Sequence, residues 1–107
     1  MSTAGMIKVS AGCPTFDGTD YPYWKDKMRM HLEAIDNDLW YVVDKGVPSV
    51  TPTVTDVDVK RFKQLDSQAK NIIYTHLSKG QCSRVGALET TKLIWDRLSK
   101  VNEGVST

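Results

Sequence analysis

"TDVDVKRFKQLDSQAKNIIYTHLSKG", residues 55–80, carries the longest helical repeat in the chain. Val59, Phe62, Ala69, Ile72, Ile73, His76 and Leu77 recur at intervals that keep them near one face of a helix, with Leu65 and Asp66 marking a drift of the stripe. Thr55 or Asp56 can cap the start, acidic residues in the first turn suit the helix dipole, and Gly80 can end it. The spacing predicts a helix over about 56–79. One amphipathic helix of that length in a chain of 107 residues needs other helices to cover its apolar face.

Upstream lies "VPSVTPTVT", residues 47–55, whose two prolines and three threonines forbid helix and discourage a central strand. It reads as a surface loop within one domain. Before it, "DNDLWYVVDKG", residues 36–46, begins with Asp36 or Asn37 as a cap and ends at Gly46. Leu39, Trp40 and Val43 form a short apolar face. The β-branched pair Val42–Val43 leaves a strand as the alternative, but a helix over about 37–45 is preferred. Earlier still, "CPTFDGTDYPYWKDKM", residues 13–28, leads into a stripe of Trp24, Met28, Leu32 and Ile35. That stripe predicts a helix over about 20–35, capped by Asp20, with Pro22 tolerated in the first turn. Phe16 and Tyr21 are expected to clamp the incoming chain in the manner of a hydrophobic staple, and Tyr23, off the stripe, is expected to face solvent. Residues 1–13 are small and polar and read as a flexible leader, with at most a short extended piece at "MIKVS".

Downstream, "QCSRVGALETTKLIWDRLSKVNEG", residues 81–104, suggests two further helices. Ser83 can cap a short turn carrying Val85 and Leu88. Thr90 can cap a last helix over about 90–103, with Leu93, Ile94, Leu98 and Val101 on its face, Trp95 beside them and Gly104 as its stop. The expectation is an all-α compact bundle of about five helices, two of them short, spanning 14–104, with 1–13 as leader and 105–107 as tail.

Composition narrows the function classes. With 40% hydrophobic and 25% charged residues the chain fits one small globular domain, in which most of the three Trp, four Tyr and two Phe should be core. A net charge of +1 gives no surplus of Lys and Arg for a phosphate backbone, so RNA is a weak partner for this segment. No apolar run is long enough for a membrane span or a signal peptide, and the expected location is cytoplasmic, with the nucleus as alternative. Cys13 and Cys82 have neither zinc-finger spacing nor enough partners for a disulfide framework, and reduced thiols are expected.

Catalytic chemistry finds little purchase. His31 and His76 have no ligand at metal spacing on their own helices and read as helix-flank residues. Asp36, Asn37 and Asp38 read as capping and solvation. Cys82 has Lys79 and Arg84 nearby but no base, the glycines form no phosphate loop, and no serine sits on a nucleophile elbow. The reading is of a non-enzyme with no cofactor, no metal and no small-molecule substrate. Lys60, Arg61 and Lys63, and Lys25, Lys27 and Arg29, read first as solvated faces. Tyr23, Lys25, Lys60 and Arg61 are the candidate protein-contact residues.

Two separated blocks carry a family resemblance. Phe16, Gly18, Tyr21 and Trp24, then Met28 and Leu32, then Leu39, Trp40, Val42, Val43 and Gly46 follow one pattern; Asp66, Ala69 and Ile73, then Thr91, Lys92, Trp95, Asp96, Leu98, Glu103 and Gly104 follow a second. Together they resemble the N-terminal part of Gag from copia-type LTR retrotransposons, particularly plant ones. Asp20 stands where the family usually has Asn, and Thr91 where it usually has Ala. The resemblance implies a capsid N-terminal-lobe-like unit, in an element's Gag or in a host-retained copy. Its partners would be itself or another protein, and its work particle assembly. On this resemblance Phe16, Gly18, Tyr21, Trp24, Leu32, Trp40, Trp95 and Leu98 are mainly structural. The family's zinc knuckle has no counterpart in a chain with two cysteines. A host-adopted adaptor that grips a partner's peptide in a helix-lined groove is the rival reading.

Overall fold

The structure is a computed structural model that describes residues 12–103. Among the described residues five helices follow one another: α1 (Tyr21–Ile35), α2 (Asn37–Lys45), α3 (Asp56–Thr75), α4 (Lys79–Val85) and α5 (Thr91–Glu103). Among the described residues the only β pairing is two isolated bridges, Phe16 with Leu77 and Thr51 with Val54. The all-α bundle expected from the sequence is the architecture observed.

The short α2 is the hub. It packs on α1, α3 and α5, while α5 also packs on α3 and α4. Leu39, Val42 and Val43 are almost fully buried, so core contacts outweigh the strand preference of the two valines. Asp36 caps α2 through the Asp38 amide at 2.8 Å, and Gly46 closes it at φ 89°, a conformation that favours glycine. The loop that follows turns on Thr51, whose hydroxyl accepts from the amides of Thr53 and Val54. Thr55 then opens α3 with a reciprocal capping box to Asp58.

Helix α3 ends at Thr75, not near 79 as the spacing predicts. Residues 76–78 leave the helix to pair with Phe16: the Phe16 amide donates to the His76 carbonyl at 2.8 Å, and the Ser78 amide to the Phe16 carbonyl at 2.9 Å. Leu77 stays buried across the break, so the apolar repeat continues where the helix does not. The short fourth helix accordingly starts earlier than expected. Ser78 caps it, Gly80 lies inside it, and Ser83 is an exposed residue of its middle. Leu88 belongs to the connection after it, and Thr90 caps α5 as expected, accepting from the Leu93 amide at 3.3 Å.

Three further expectations are corrected. Asp20 makes no side-chain cap to α1, because its backbone is left-handed at φ 54°. The turn is held instead by Asp17, which accepts from the Thr19 amide and hydroxyl at 3.0 and 2.7 Å. Ile35 and Leu93 fall on predicted apolar faces yet are exposed. Trp40 is only partly buried, at the margin of the core. Of the expected leader, residues 1–11, including "MIKVS", lie outside the described residues, and Cys13 is buried in the core. The expected stop at Gly104 and the 105–107 tail also lie outside them.

Candidate protein-contact surface

The two blocks that carry the family resemblance meet in space. Phe16 packs on Tyr21 and Trp24 at ring-centroid distances of 5.4 and 5.3 Å, Trp24 on Trp95 at 5.8 Å, and Trp95 edge-on to Trp40 at 5.4 Å. Leu32 and Leu98 are fully buried. Gly18 adopts φ 109°, and a side chain there would press against the Gln81 amide at 3.1 Å, so the turn fits tightly on α4. These signature residues are packing residues. The Tyr21 hydroxyl and the Trp24 indole N–H are buried without hydrogen-bond partners. Ser99, beside Tyr21, is committed to Glu103 at 2.5 Å; burial, with the Glu103 carboxylate adding, pushes the Tyr21 phenol well above its usual range.

The four candidate contact residues do not form one patch. Tyr23 is exposed on α1, as expected. Lys25 is half-buried, paired with Glu103 at 3.5 Å and lying over the Tyr21 ring. Lys60 is exposed on α3. Arg61 pairs with Asp38 at 2.9 Å and Asp36 at 3.7 Å and lies over the Phe62 ring. Lys25 sits in the first turns of α1 and Asp36 just beyond its end, so eleven residues of helical rise, about 16 Å, separate the two groups. Lys25 and Arg61 work as ties between elements, which leaves Tyr23 and Lys60 as the uncommitted members.

The histidines are brought together from different helices. His31 and His76 pack edge to face with centroids 5.2 Å apart, and His76 Nδ1 lies 2.8 Å from the Ile72 carbonyl. Burial, and then the neighbouring His76, lower the pKa of His31. Among the described residues no three His, Cys, Asp or Glu side chains are grouped to hold a metal ion. Cys13 and Cys82 are free thiols. Burial pushes Cys13 up to about 11 against the partial offset of Lys27, which makes it a poor nucleophile at neutral pH.

One open concave surface was not singled out by any motif. A groove of 560 Å³ runs between the second half of α3, α4 and the 86–88 connection. Tyr74, Cys82 and Leu88 supply its floor, and Lys70 and Lys79 its rim. Tyr74 fixes the groove's end by donating its hydroxyl to the Gly86 carbonyl at 2.6 Å, and Lys70 donates to the Glu89 carbonyl at 2.7 Å. Leu88 also lines an adjoining hollow with Leu93, Asp96, Arg97 and Lys100. The sequence did hold a signal for this basic character. Residues 1–59 carry nine Asp and Glu against five Lys and Arg, and residues 60–107 carry four against nine. The near-zero total hides that opposition.

No family model, no curated protein and no solved structure matches the chain. What it does must be argued from its own surface. That surface carries exposed apolar side chains, charges of both signs and an open groove. Among the described residues no helix is long and apolar enough to cross a membrane.

Proposed function

We propose that this chain is a non-enzymatic assembly domain, similar to the N-terminal capsid lobe of a copia-type Gag or a host-retained copy of one, and that it works in the cytoplasm, or in the nucleus, by binding copies of itself. The observation that carries the reading is the division of its apolar side chains. The aromatic signature is spent on one core, while Tyr23, Met30, Ile35, Tyr41, Val57 and Leu93 stay exposed on the helices around it. Protein contacts need such leftover apolar and aromatic side chains. Single contacts of this size are weak, and repetition in a particle supplies the avidity.

Sedimentation velocity from micromolar to millimolar concentration tests it. A weight-average mass that climbs above 12.0 kDa with concentration is the expected result. A strict monomer across that range overturns the proposal. The α3–α4 groove favours a second reading, a host-adopted adaptor that holds a partner's peptide. That reading predicts a monomer that binds an acidic amphipathic peptide with saturating stoichiometry.

A further inference from the structure

Part of the opposition of charge along the chain persists in the fold, although Lys60 and Arg61 of the basic half sit at the start of α3 among its aspartates. Asp56 and Asp58 lie in the first turn of α3, and Arg61, a turn further on, pairs with Asp36 and Asp38 at the start of α2, so four carboxylates share this end with Lys60 and Arg61. Three large apolar residues at this end are exposed: Val57 at 76%, Ile35 at 53% and Tyr41 at 42%. Val57 stands one helical turn before Arg61, and Tyr41 packs on Phe62, so these residues surround the same acidic cluster. The other end of α3 carries the groove, with Lys70 and Lys79 above a floor of Tyr74, Cys82 and Leu88.

We infer that the acidic, apolar-tipped end of one copy docks into the basic groove of the next, so that the chain associates head to tail. The inference rests on the self-association proposed above and names its two surfaces. Charge and apolarity match: a knob of exposed Val57 and Ile35, at an end where carboxylates outnumber cations, suits an apolar floor rimmed by lysines. The two surfaces cannot satisfy each other within one molecule. Val57 and Tyr74 sit on the same helix, and seventeen residues of rise hold them about 25 Å apart. A contact between different patches leaves a free knob and a free groove at the ends of every complex, so it propagates into rings or filaments instead of stopping at a dimer. Because unlike charges align the contact, salt weakens it.

Two variants, each blocked on one surface, test this. Asp56→Asn/Val57→Lys damages the knob and spares the groove, and it leaves the Thr55–Asp58 capping box intact. Lys79→Glu/Ser83→Glu damages the groove and spares the knob. All four positions are exposed, and thermal melts matching wild type establish that both variants fold. Sedimentation velocity at low and high salt is then run on wild type, on each variant and on their equimolar mixture. The expected result is salt-sensitive growth of the wild type and at least a tenfold loss of association in each variant alone. The mixture should form a dimer that grows no further, because its remaining knob and groove are both blocked. If the variants associate as well as wild type, or the mixture stays monomeric, the head-to-tail surfaces are wrong while self-association stands. A wild type that is monomeric throughout overturns both. So does a monomer that instead binds single-stranded RNA with a steep salt dependence that Lys79→Glu/Ser83→Glu removes.

Discussion

Trp24 is 2% exposed among Phe16, Tyr21 and Trp95, whereas Tyr23, one position earlier, is 54% exposed. A helix advances about 100° per residue, so neighbours in sequence face different media. Truncating Trp24 to Ala removes a buried indole from a close-packed cluster and should cost about 3–5 kcal/mol. Tyr23→Ala should change stability by no more than about 0.5 kcal/mol. Urea unfolding of the two variants checks the contrast, and a large loss at Tyr23 would contradict it. The same reasoning separates Trp40 from Trp24. Partly buried and covered on one side by the Arg29 guanidinium at 5.1 Å, Trp40 should cost less to truncate. The sequence placed all three tryptophans in the core alike, because spacing identifies a face but not how deeply a neighbour covers it.

Among the helices, the tie between α3 and α5 depends on one carboxylate. Asp66 is buried within the apolar face of α3, and it accepts from the Thr91 hydroxyl at 2.6 Å and the Thr91 amide at 3.1 Å. It thereby satisfies a donor at the start of α5 that has no partner within its own helix. Asp66→Ala should destabilise by about 2–3 kcal/mol, since it strands a buried hydroxyl and a buried amide together. Asp66→Asn, which keeps an acceptor, should lose less. Chemical denaturation of both variants orders the losses, and equal losses would mean that packing rather than acceptance is what matters. In the sequence Asp66 marked only a drift of the stripe, because its partner lies 25 residues away. Local elements were legible for a matching reason. Caps, prolines and apolar intervals are properties of a few adjacent residues. The break at residues 76–78 was not legible, because the pairing that causes it comes from Phe16, some sixty positions earlier in the sequence.

For the molecule as a whole, the His31–His76 contact links stability to pH, since its two rings come from α1 and from the end of α3. Burial and His76 make His31 harder to protonate folded than unfolded. The unfolded chain therefore binds the extra proton first. Stability is full above the ordinary histidine value of about 6.5 and declines as pH falls below it toward the lowered folded value. The urea midpoint should drop between pH 7.5 and 5, and His31→Phe should flatten the drop. A wild-type midpoint that is level over this range would refute the linkage. The carboxylates held low by hydrogen bonds, Asp17, Asp58 and Glu103, act in a separate window, where stability is lost as pH falls below about 4. The fold class and the packing role of the aromatic signature were readable from the sequence. The exposure of Ile35 and Leu93 was not, because they keep helical spacing whether or not anything covers them.

The cluster of Phe16, Trp24 and Trp95 also sets a timetable. Its members come from the beginning and the end of the described chain, so α1 leaves the ribosome long before the residue that covers its central indole has been made. At about 5–20 residues per second, the seventy-one residues from Lys25 through Trp95 take several seconds to synthesise. During that interval Trp24 has no Trp95 to cover it. The aromatic cluster is therefore completed late, and a ribosome-stalled chain ending before α5 should expose Trp24 to a quencher that the finished protein excludes.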